Sequence, residues 1–140
     1  MGVPTVAVNY IAVLVVAIVN MVLGFLWYGP LFGKQWIQLM AFDKKKMEEA
    51  KKKGMTKTYI VAFISTLLMS YILAHFVKYT QAATIAEGIT AGVWLWLGFI
   101  ATVQLSMVLW EGKPVKLYLI NIAYYLVALS VMGAILSVWV

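Results

Sequence analysis

Residues 88–110 read GITAGVWLWLGFIATVQLSMVLW, 23 consecutive positions without Asp, Glu, Lys or Arg. About 20 such residues, each rising about 1.5 Å, carry a helix across the hydrocarbon of a bilayer. Residues 1–33, 58–77 and 117–140 share the property. None alternates polar with apolar as a barrel strand does, and backbone groups in lipid must be paired within their own segment, so each stretch reads as a helix. The expected fold is all-α: a polytopic membrane protein, one transmembrane domain over residues 1–140, with helices at about 5–28, 58–77, 84–110 and 114–140 and a basic cytoplasmic connection at 34–57.

Composition agrees with this. Of 140 residues 64% are hydrophobic and 11% charged, against about 45–50% and about 25% in an ordinary soluble domain, and mean hydropathy is +0.94. A water-soluble fold is excluded. The chain has no Cys, which removes disulfides and thiolate metal centres, and one His with five acidic residues leaves little material for acid–base catalysis. The net charge of +6 and pI near 9.6 raise the question of nucleic acid. All eleven cations are Lys, however, and base readout favours the Arg fork, so no nucleic-acid partner is expected.

The lysines instead give an orientation. Eight lie in the 34–57 connection and two more, Lys113 and Lys116, in the turn before the last helix, whereas Lys78 stands alone on the other side. The positive-inside rule puts both basic connections in the cytoplasm and both termini outside, in the cell (inner, cytoplasmic) membrane. Trp27, Tyr28, Tyr59, Tyr79, Trp110, Tyr118 and Trp139 fall near the ends of the helices, where amphipathic rings belong. Pro4 suits an early helical position, and Gly29-Pro30 is expected to end the first helix. No basic leader region or small-residue cleavage site precedes Trp27, so this helix is expected to stay in the mature protein, and Val6 breaks the myristoylation pattern.

Within the connection, residues 43–53 have helix-forming composition, with Asp43 as N-cap, Gly54 as stop, and Glu48–Lys52 and Glu49–Lys53 in the favourable order. Such a helix can lie on the membrane while Lys44, Lys45, Lys46, Lys51, Lys52 and Lys53 reach anionic lipid, at about 1 kcal/mol each. The alternative is a solvated loop that does no more than fix topology.

No carboxylate or Lys stands at mid-depth in any span, which argues against a proton-coupled pump. Four-helix small multidrug exporters resemble this chain in size but use a buried Glu in their first helix, where this one offers Asn9 and Asn20. Uncharged polar residues do gather at one depth: Asn20, Ser65, Thr66, Thr102, Gln104 and Asn121 are all expected roughly 9–12 Å below the cytoplasmic interface. They are either interhelical glue, at about 0.6 kcal/mol per contact, or the lining of a small cavity. Asn9 and Asn20 are eleven apart and share a helical face, with Gly24 one turn on. Gly88-xxx-Gly92 is a close-approach motif, and Ala91, Gly98 and Thr102 form a second small stripe, for a helix of the same chain or of a neighbour. Trp94 and Trp96 lie too deep for the aromatic belt, and their N–H groups need partners. His75 reads as an interface residue, and Glu87 suits the positive end of the third helix and is placed to pair with Lys78. An internal echo links Leu26-Trp27-Tyr28-Gly29 with Leu109-Trp110-Glu111-Gly112.

Asn9, the run Trp27-Tyr28-Gly29-Pro30-Leu31-Phe32-Gly33-Lys34 with Trp36, then Trp96-Leu97-Gly98-Phe99, Glu111-Gly112-Lys113 and Asn121 resemble a family of small prokaryotic membrane proteins, domain of unknown function 1761. The resemblance covers nearly the whole chain and implies four helices with no established activity, so it assigns no catalytic or binding residue. The residues themselves lead to a helix-bundle protein without catalytic activity or cofactor. It is expected to be self-associating or an accessory subunit of a larger membrane complex, with membrane lipids and like or unlike membrane-protein subunits as partners. The alternative is a minimal transporter or pore for a small neutral solute or lipid, built on the polar layer.

Overall fold

A computed structural model describes residues 6–40, 48–49, 52 and 54–139. The first helix, α1 (Tyr10–Leu26), starts five residues later than its composition suggests. The reason is Asn9, whose side-chain oxygen accepts from the amides of Ile11 (3.0 Å) and Ala12 (3.1 Å). An Asn in extended backbone satisfies first-turn donors that have no carbonyl partner, so it defines the start rather than sharing a face with Asn20.

The helix also ends differently. Instead of stopping at Tyr28 it widens into a π-turn over Trp27–Leu31, with Pro30 inside and the Phe32 amide bonded to the Trp27 carbonyl at 2.8 Å. Proline has no N–H and its ring collides with the carbonyl four residues back; one wider turn accommodates both defects without breaking the span. Gly33 then folds back so tightly that a Cβ there would meet the Tyr28 carbonyl at 2.7 Å. From this corner runs a short amphipathic helix, α2 (Gly33–Met40), which packs on the π-turn and the last helix. It precedes the 43–53 segment for which sequence suggests a basic helix. Of the lysines there only Lys52 is among the described residues, and it is exposed; Lys44, Lys45, Lys46, Lys51 and Lys53 lie outside them.

Three more long helices follow. α3 spans Thr56–Tyr79, and α4 (Ile85–Trp96) continues through a second π-turn (Leu97–Ala101) and two short turns to Leu109. α5 (Val115–Val138) starts directly after Pro114. Thr84 caps α4, its oxygen accepting from the Glu87 amide (3.1 Å) while its hydroxyl donates to the Glu87 carboxylate (3.1 Å). Glu87 is thus engaged by the cap of its own helix rather than by Lys78. Among the described residues four stretches, Tyr10–Leu31, Thr56–Tyr79, Ile85–Leu109 and Val115–Val138, are long and apolar enough to cross a membrane.

α5 is the hub, packed against α1, α3 and α4. Its Ala128, Leu129, Met132 and Leu136 meet Val13 and Val16 of α1 and Leu73 and Val77 of α3 in one buried cluster. α4 stands outside that cluster and reaches α5 across a seam of small residues: a Cβ on Gly88 would overlap the Gly133 carbonyl, and one on Gly92 the Leu129 carbonyl. The close-approach motif is therefore used within the chain, and Gly133 is its unforeseen partner. Nothing lies within 4 Å of the Cβ position of Gly98, which stays open.

Candidate functional site

At the end of the bundle that carries the basic connections, α1, α3 and α5 converge on a polar knot. Asn20 is 4% exposed. Its side-chain oxygen accepts from the Tyr124 hydroxyl at 2.6 Å, and its amide donates to Thr66 Oγ1 across a long 3.5 Å. Gly24, one turn on, leaves room for that tyrosine, whose hydroxyl would stand 3.2 Å from an added Cβ. Beside it the Tyr28 hydroxyl donates to Asn121 Oδ1 at 2.8 Å. Lower in the bundle Ser70 donates to the Val13 carbonyl at 2.8 Å. Among the described residues no buried side-chain nitrogen or oxygen lacks a partner, the condition on which a polar cluster in an apolar medium stabilises rather than costs free energy.

Both π-turns serve this region. Each follows or begins at a Trp-x-Gly step, Trp27-Tyr28-Gly29 and Trp96-Leu97-Gly98. The two indoles donate to α5 carbonyls two residues apart, Trp27 to Ile120 (3.1 Å) and Trp96 to Ile122 (2.7 Å), using the lone pairs that the helix bonds leave over. The echo of Trp27 is thus Trp96. Trp110, which the sequence pairs with it, is 85% exposed. Trp94 also points outward, at 69% exposure.

Not every residue expected in the polar layer joins it. Asn20, Thr66 and Asn121 do. Ser65 is exposed, since adjacent residues on a helix stand about 100° apart and Thr66 holds the inward position. Thr102 is exposed and bonds back to the Gly98 carbonyl at 2.6 Å, and Gln104 is half-buried without joining the knot. The π-turn acts as one inserted residue: it turns Thr102 to the side opposite the Gly88–Gly92 seam and brings Gln104 round toward the seam face, where it is half-buried. Trp27 and Tyr28 escape the sequence reading because tyrosine and tryptophan near a helix end also suit the interface. The usable signal was Tyr124 itself, ten residues into α5 and too deep for a belt.

Above the knot lies a chamber of about 460 Å³ between α1, α2, α3 and α5. Asn20, Thr66 and Tyr124 form its floor, and its walls include Phe25, Tyr28, Trp36 and Tyr59. The rings interlock: Tyr28 meets Trp36 edge-on at 5.3 Å and Tyr124 at 5.4 Å, and Phe25 meets Tyr59 at 5.6 Å. His75, far from this chamber, contacts Tyr71 through the backbone carbonyl at 2.8 Å and ring against ring at 4.5 Å. Among the described residues no three His, Cys, Asp or Glu side chains cluster as metal ligands would.

Residues 11–137 match the family described as Protein of unknown function (DUF1761). The chain belongs to that family. No curated protein and no solved structure matches it. The four apolar helices and the Trp-Tyr-Gly-Pro corner therefore describe a member of a membrane family whose activity the family description leaves open, and the functional reading rests on the geometry.

Proposed function

We propose that the protein is a non-catalytic helix-bundle subunit of the cytoplasmic membrane that joins a neighbour, a second copy or a different membrane protein, through the outer face of α4. The observation that carries this reading is the open Gly98-xxx-Thr102 step on α4. The Gly88–Gly92 motif is consumed by α5, whereas Gly98 has open space above it and Thr102 is exposed beside the outward Trp94 and Phe99. In lipid, apolar exposure alone drives no association; backbones approach where small residues let them, and this step is of that kind. The closed hydrogen bonding of Asn20 and Asn121 supports a packing role for the polar knot over a pore. Ten lysines at one end against Lys78 at the other support placing the basic end in the cytoplasm and both termini outside.

A chain without native Cys makes the test direct. Thr102→Cys in native membranes should give oxidative crosslinks, at twice the monomer mass for a second copy or at another mass for a different subunit. Ile11→Cys on the lipid-facing side of α1, 66% exposed, should give none. Equal crosslinking at the two positions would remove α4 as the interface.

A further inference from the structure

The chamber above the polar knot shares two of its lining residues with a second space. Ser65 and Met69 of α3 line it and also line an apolar groove of about 530 Å³ between α3 and α4, which runs on past Leu68 and Ile72 toward the opposite end of the bundle. The two spaces adjoin at these two residues, one polar-floored and ringed by aromatic side chains, the other apolar along its length. The hydroxyls of Ser65, Tyr59 and Tyr125, which line the chamber, find no hydrogen-bond partner among the described residues. No charged side chain lines either space.

We infer that the chamber and groove together bind a neutral lipid whose uncharged, carbonyl-bearing head sits among the chamber hydroxyls and whose apolar tail lies along α3. Each half of that description follows from a feature of the site. Hydroxyl donors without a partner in the protein match carbonyl acceptors. A charged head would enter an uncharged, aromatic-walled space without a counter-charge, at a heavy desolvation cost. The apolar groove takes a chain, and because it adjoins the chamber at Ser65 and Met69 the occupant that fills both is a molecule with a head and a tail rather than a partner helix. The flat walls of Tyr28, Trp36 and Tyr59 favour a planar ring such as that of an isoprenoid quinone, while a diacylglycerol offers the same carbonyl chemistry from a glycerolipid source.

The test uses the full chain purified in neutral detergent, with native mass spectrometry to count bound lipid and titration to rank affinity. The probes are a decyl-tailed ubiquinone analogue, the same ring without its tail, dioleoylglycerol and dioleoylphosphatidylglycerol. One equivalent of the decyl quinone, of the diacylglycerol, or of each in competition, should be retained, and whichever binds names the source of the head. The tail-less ring should bind at least tenfold more weakly, and the anionic phospholipid should not displace the neutral one. Ser65→Phe, which fills the junction from an exposed position, should weaken binding at least tenfold at an unchanged melting temperature. Leu68→Trp, in the groove alone, should do the same and replaces it if Ser65→Phe unfolds. Retention of neither neutral lipid, displacement by the anionic one, or indifference to both variants would overturn the assignment.

Discussion

The hydroxyl of Tyr124 ties α5 to α1 through a single group, and its worth is measurable. Hydrogen bonds between membrane helices average about 0.6 kcal/mol and reach about 1.7, because an unfolded span still finds partners in the membrane. Tyr124→Phe should therefore lower stability by about 1 kcal/mol, and Asn20→Ala, which also removes the contact to Thr66, by somewhat more. The double variant should fall short of the sum, the shortfall being the coupling of the 2.6 Å bond; equilibrium unfolding in mixed micelles reads all three. Strict additivity would mean that the bond contributes nothing. At this scale Asn20, Thr66 and Asn121 were legible in the sequence, since an amide or hydroxyl at that depth in an apolar helix needs a partner. Their partners were less so. Depth gives the level of a residue but not its azimuth, so Ser65 and Thr66 looked equivalent until the packing of α3 chose between them. Tyr28 remained hidden because one ring type serves both the interface and the interior, whereas Tyr124 carried a depth signal that was not used.

Elements differ in what their glycines do. On α4, Gly92 holds the helix against the Leu129 carbonyl while Gly98 faces open space. Gly92→Ala should force α4 off α5 and cost about 1–3 kcal/mol, the usual range for overpacking. Gly98→Ala should be neutral or stabilise by up to about 1 kcal/mol through helix propensity. Thermal denaturation in detergent separates the two, and equal effects would contradict the seam. The Gly88–Gly92 motif told that a backbone comes close but not whose; the partner is the weaker small-residue step Gly133-xxx-Ser137 of α5, which the sequence reading passed over. The two π-turns were likewise out of reach of periodicity. Pro30 marks the first, yet it reads equally well as a stop, and Gly98 marks the second no better than any helical glycine would. Because a π-turn shifts the phase of all that follows, one undetected turn misplaced Thr102.

For the molecule as a whole, the span count and the hub differ in how openly the sequence states them. Four uncharged runs declare four crossings. That α5 is the helix on which the others lean follows from contacts spread over all of them, which no local pattern encodes. The orientation proposed from the lysines is tested by labelling single cysteines in intact cells with an impermeant thiol reagent: Thr80→Cys should react and Lys52→Cys should be protected, and the opposite pattern would invert the protein. The centrality of α5 also carries a consequence for biogenesis. Ribosomes deliver α1, α3 and α4 to the translocon before the helix that unites them, so α1 and α3 can pair through Asn20 and Thr66 while α4 waits without its main partner, and the Asn20 oxygen and the indoles of Trp27 and Trp96 stay unclaimed. A nascent chain arrested before residue 115 should accordingly be recognised as an orphan and degraded by membrane proteases, and supplying α5 as a separate polypeptide should rescue it.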